Sequence, residues 1–193
     1  MQRRLLSFLL LFVLTAGAMA QDGSGMKIHG RNVSDFLAAQ RILLSNFCRL
    51  DFEGARLQPA GWNRIKPFTS LRMNPEFERV VIVVRFDIES TEQPSETVRV
   101  NYKAVGYYDS NDGYATISGS DRVIFRIQEH DRNLMITEIA PTAPHVSPRA
   151  ALEWMNLRMN DATTTDLERV HLKEAIGEVS KLVPQPHASA VAK

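Results

Sequence analysis

The stretch ERVVIVVRFDIESTEQPSETVRVNYKAVGYY, Glu78 to Tyr108, decides the fold, because here the apolar period drops from helical spacing to two residues. Val80, Ile82, Val84, Phe86 and Ile88 fall on one side of the alternation, with Arg85 and Asp87 on the other, which predicts a half-buried strand. After the connector STEQPSE, Val98, Val100, Tyr102, Ala104 and Tyr108 alternate against Thr97, Arg99, Asn101 and Lys103, predicting a second strand of the same kind. DSNDGY follows, where Asn, Asp and Gly tolerate the positive φ angles of a tight hairpin. Further strands are expected at about 122–128 and at 134–139, joined by EHDRN. Short connections between successive strands imply an antiparallel sheet.

Helices flank this block. Val33 to Leu50 places Phe36, Leu37, Leu43, Leu44, Phe47, Cys48 and Leu50 at helical spacing, with Asp35 in the first turn, where the helix dipole favours an anion. Gly54 breaks the run. Pro59 suits the first turn of a short second helix carrying Trp62, Ile65 and Phe68 on one side. After Pro141 and Pro144 halt the fourth strand, His145 reads as a linker residue and Ser147-Pro148 as a cap followed by a preferred first helical residue. The helix behind it carries Ala151, Leu152, Trp154, Met155 and Leu157. A last helix opens on Thr165 with Glu168 three residues later, the spacing of a capping box.

At the amino end, MQRRLLSFLLLFVLTAGAMA has Arg3 and Arg4 before an apolar run and small residues at Ala18 and Ala20. It reads as a secretory signal cleaved after Ala20, which would place the mature protein outside the cytoplasm, in the periplasm or secreted. The run is too short for a stable membrane span. The expected organisation is a signal over 1–20, a flexible leader over 21–32, one α+β domain over 33–183 and a disordered tail over 184–193.

The chain of 193 residues has 23 basic against 22 acidic side chains and a formal net charge of +1. Such a balance, without a basic cluster, argues against nucleic-acid binding. Cys48 is the single cysteine, so no internal disulfide can form, and a buried packing role is expected for it. The five histidines are not spaced as metal ligands, DSNDGY lacks the register of a calcium loop, and no nucleophile elbow, phosphate loop or dinucleotide fingerprint occurs. No cofactor is expected.

Two helices followed by four antiparallel strands, together with the passage FCRLDFEGARL…GWNRI, resemble the nuclear-transport-factor-2-like superfamily over residues 33–139. The resemblance implies N-terminal helices packed across a curved four-stranded antiparallel sheet, with the C-terminal helices as additions. It also implies a pocket inside the cone, where enzymes of the superfamily hold a carboxylate or histidine as proton shuttle.

For this chain the pocket would be lined by Trp62, Phe86, Tyr102 and Tyr108, with Asp51, Glu53 and Glu138 as the carboxylates within range. The leading expectation is a non-catalytic binding or interaction module whose ligand is a small apolar molecule. The alternative is a cofactor-free isomerase or lyase using one of those carboxylates. The sheet also leaves a homodimer possible.

Overall fold

The long run Val33–Phe52 coils into α1 because its apolar residues recur every three or four positions. Leu43, Leu44, Phe47 and Cys48 are wholly buried as a result. The computed structural model describes residues 33–72, 77–90 and 92–184. The expected signal, the leader and all of the expected tail but Pro184 lie outside the described residues. Among the described residues, no helix is long and apolar enough to cross a membrane.

Gly54 ends α1 with φ 83°, a left-handed conformation that costs glycine little, and a Cβ there would stand 3.0 Å from the Ala150 methyl. A short 3-10 turn, Ala55–Leu57, leads to α2 (Pro59–Ile65), with the expected proline in its first turn. Gly61 lets α2 close onto that turn. A Cβ there would collide with the Ala55 carbonyl oxygen.

The sheet is curved into a half-barrel and holds five strands, β1 (Arg79–Ile88), β2 (Thr97–Asp109), β3 (Gly113–His130), β4 (Asn133–Ala140) and β5 (His145–Val146). They lie in the order β4-β3-β2-β1-β5. The first four pair antiparallel as expected, but β5 pairs parallel with β1 through Val81↔His145 and Ile82↔Val146, so the sheet is mixed. Two residues between prolines are too few to show a period, which is why the sequence reads them as linker. β3 starts nine residues before the expected strand, because its first half is largely solvated and carries no apolar alternation.

The alternation along β1 and β2 is also interrupted. Ile82 pairs with Gly106, Val83 with Ala104 and Arg85 with Lys103, so Val105 and Val84 are extra residues bulged out of the ladder. Each bulge reverses the inside-outside phase. Val81 and Val83 therefore share a face with Phe86 and Ile88, while Val80 and Ile82 face the other way and Val84 is 42% exposed. Val98, Val100, Tyr102 and Ala104 lie on the α1 face, whereas Tyr108 lies on the opposite one.

Both faces of the sheet are thus covered. α1 covers one side over Val81, Val100, Tyr102, Phe125 and Ile136. The helices α3 (Pro148–Met159) and α4 (Asp166–Ser180) cover the other side, burying Met155, Leu172, Ala175 and Val179 against Val80, Ile82 and Tyr108. The C-terminal helices are a second layer rather than an extension of the first. Their expected caps form: the Ser147 hydroxyl accepts from the Ala150 amide and the Thr165 hydroxyl from the Glu168 amide.

Candidate functional site

Phe86 and Tyr102 meet under α1 as the sequence suggests, with ring centroids 5.9 Å apart, and Phe52 joins them at 6.5 Å from Phe86. Trp62 packs half-buried against the same cluster. These rings are part of the core on the α1 side. The Tyr102 hydroxyl donates to the Cys48 sulfur at 3.1 Å, and both side chains are 0% exposed.

His145, which sequence reasoning places in a linker, is the most consequential residue of this region. Its ring stacks on Tyr102 at 4.3 Å, its backbone N–H donates to Asp51 Oδ2 at 3.1 Å, and its Nε2 lies 2.9 Å from Asp121 Oδ2. The hydrogen bond from His145 holds the Asp121 carboxyl below the usual carboxylate range, so Asp121 is ionised and Nε2 carries the proton.

Cysteine, histidine and aspartate in one neighbourhood invite a nucleophile reading, which the geometry opposes. The Cys48 thiol is hydrogen-bonded to Tyr102 rather than to an imidazole nitrogen, and burial pushes it up to about 12. A protonated, inaccessible thiol is a poor nucleophile.

Asp51, the one nominated carboxylate that is buried, is fully engaged. Arg56 donates to Oδ1 through Nε and to Oδ2 through Nη2, each at 2.8 Å. The same guanidinium donates to the carbonyls of Thr142 at 2.9 Å and Ala143 at 2.8 Å, and sits 5.8 Å from the Phe47 and Phe77 ring centroids. This ion pair clamps the end of α1 to the segment that becomes β5. It leaves no lone pair aimed at a ligand.

The other nominated carboxylates are elsewhere. Glu53 is exposed; partial burial pushes its carboxyl up, but hydrogen bonds from Arg64 at 2.9 Å and Arg49 at 2.8 Å outweigh that and hold it low. Glu138 is exposed on β4 and pairs with Arg126 at 3.3 Å. Tyr108 is on the other side of the sheet, edge-on to Trp154 at 5.7 Å. Trp62, Phe86, Tyr102 and Asp51 are therefore brought together on the α1 side of the sheet, with Glu53 exposed at the surface of the same helical layer, whereas Glu138 and Tyr108 lie elsewhere.

The open space on the α1 side lies along the helix flank. One recess of about 290 Å³ runs between Leu37, Ala38 and Leu44 of α1 and Ile88 and Val98 of the sheet. A second, of about 430 Å³, continues past Ile42 and Ser45 toward Phe86 and Asp87, and the two share Arg41 and Ile88. Gln40 closes one side by donating to the Ser95 carbonyl at 2.6 Å. Across the trough, Asp87 faces Arg85 at 3.7 Å, and Glu89 accepts from Asn101 at 2.9 Å with Arg99 and Arg122 at 3.9 Å. Arg41 has no ion-pair partner among the described residues.

Sequence reasoning misses Arg41 because an arginine on a helix flank looks like ordinary solvated charge. Only the juxtaposition with Ile88 and Phe86 gives it a context. No protein-family model, curated protein or solved structure matches this chain.

Proposed function

We propose that the protein is an extracytoplasmic, non-catalytic binding module that takes a small apolar molecule carrying an anionic group into the trough beside α1. The observation that carries this reading is Arg41, an unpaired cation between two recesses floored by Leu44, Ile88, Val98 and Phe86. Apolar walls with Arg41 as the charge left over, Asp87 and Glu89 being engaged by Arg85, Arg99 and Arg122, suit a ligand whose body leaves water while its charge stays at the rim. The non-catalytic part is supported by the carboxylates: Asp51, Glu53 and Glu138 are each engaged by arginine, so none is poised as a proton shuttle. The helix-then-curved-sheet order supports kinship with the nuclear-transport-factor-2-like superfamily.

Calorimetric titration of the protein with decanoate, decan-1-ol and decyltrimethylammonium tests the reading. Decanoate should bind most tightly, and Arg41→Gln should weaken it about fivefold or more while leaving decan-1-ol unchanged. Equal affinity for the three probes, or no binding of any, overturns the proposal.

A further inference from the structure

On the opposite side of the sheet, a recess of about 300 Å³ opens between the start of β1, the end of β2 and helices α3 and α4. Phe77, Tyr108 and Trp154 supply aromatic walls, and Glu78, Arg158 and Glu168 supply its charged edge. Its volume is at the lower end of small-molecule sites, about 300 Å³ upward.

Two polar atoms here lack a partner within the described residues, and the first of them is also cut off from solvent. The Tyr108 hydroxyl is buried and has no hydrogen-bond partner among the described residues, although the residue is only 1% exposed. A buried donor left unpaired is costly, so its persistence calls for a partner from outside the chain. Burial, reinforced by the nearby Glu168 charge, pushes the phenol up to about 12, so it remains an O–H donor at neutral pH.

Glu168 supplies the second atom. Arg158 reaches its Oε1 through Nη2 at 2.9 Å and Nε at 3.3 Å, while Oε2 accepts no hydrogen bond. Arg158 is itself shared with Asp161 at 3.8 Å, so it is not a free anion anchor. The recess thus offers aromatic surface, the buried phenol as donor and the Glu168 carboxylate as acceptor, with Glu78 a second carboxylate in its lining.

We propose that this recess binds a flat ring bearing an amide, whose carbonyl accepts from Tyr108 and whose N–H donates to Glu168. An amide is the neutral group that presents an acceptor beside a donor, matching both unmet atoms. A carboxylate would be repelled by Glu168. A simple ammonium would satisfy Glu168 and the ring faces but leave the tyrosine's proton unused. The site is separate from the Arg41 trough and does not depend on it.

Benzamide is the direct probe, with benzylamine and benzoate as contrasts, followed by the Trp154 indole ¹H–¹⁵N resonance. Benzamide should shift that resonance saturably, with benzylamine and benzoate each weaker by about tenfold. Tyr108→Phe should abolish the preference for benzamide over benzylamine. It removes only an unpaired hydroxyl, so the variant should fold and melt close to the wild type. Arg41→Gln should leave benzamide binding unchanged, which keeps this result independent of the trough. The site is refuted if no probe shifts the resonance, as when water alone meets the hydroxyl, if benzylamine or benzoate matches benzamide, or if Tyr108→Phe keeps the full preference.

Discussion

The Tyr102 ring lies nearly flat on the His145 imidazole, with centroids 4.3 Å apart and planes 29° from parallel. That contact locks the two-residue β5 against the centre of the sheet, with Asp121 and Asp51 holding the same histidine from two other directions.

His145→Ala should therefore destabilise the protein by about 2–4 kcal/mol, as a cavity opens over Tyr102 and a buried hydrogen bond is lost. His145→Phe keeps a ring on Tyr102 without Nε2 and should cost less than alanine. Urea denaturation of the three proteins measures the order. Near-wild-type stability for His145→Ala would return His145 to the role of a passive linker.

The same histidine gives a pH dependence. Asp121 has a folded-state pKa below its unfolded value of about 3.9, so its contribution is complete above that value and is lost as pH falls through the folded one. Asp121→Asn should accordingly show a shallower fall in stability below about pH 4 than the wild type. Thermal melts at a series of acid pH values would reveal the difference in slope.

The Asp51–Arg56 pair should be strongly asymmetric to mutation. Removing one partner, as in Asp51→Asn or Arg56→Met, leaves an uncompensated buried group and should cost about 3–5 kcal/mol. The double replacement Asp51→Leu/Arg56→Met should recover part of that loss, because no lone charge remains. The Thr142 and Ala143 carbonyls that accept from Arg56 would still lose their donor, which limits the recovery. A double-mutant cycle in denaturant reads the coupling directly.

A fourth expectation concerns the β3–β4 hairpin, where Asp131 and Arg132 both take left-handed backbone conformations, with φ 50° and 66°. Arg132→Gly removes the Cβ clash at an exposed site and should stabilise the fold by about 1 kcal/mol. A rise in melting temperature with unchanged binding checks it.

What could be read from the chain follows from range. The helices, the hairpin turns and the caps at Ser147 and Thr165 are written in residues a few positions apart, and all are found in place. The Trp62, Phe86 and Tyr102 cluster was legible for the same reason, since alternation and helical spacing aim them inward. Long-range pairing was not legible. Nothing near His145 announces Asp121 or Tyr102, and the Arg56–Asp51 pair shows its purpose only when Thr142 and Ala143 arrive beside it. Tyr108 falls on the opposite face from the one its alternation predicts, because a bulge leaves no mark on composition.

Val84 behaves like an inserted letter in a reading frame of two. Upstream of it, odd-numbered residues of β1 face α1; downstream, even-numbered ones do. Deleting Val84 would close the bulge and keep the frame, because Val83, Arg85 and Phe86 would then alternate regularly opposite Ala104, Lys103 and Tyr102, the partners they already have. The strand should therefore tolerate a loss of length at this one point, where losing a paired residue such as Asp87 would turn Ile88 outward.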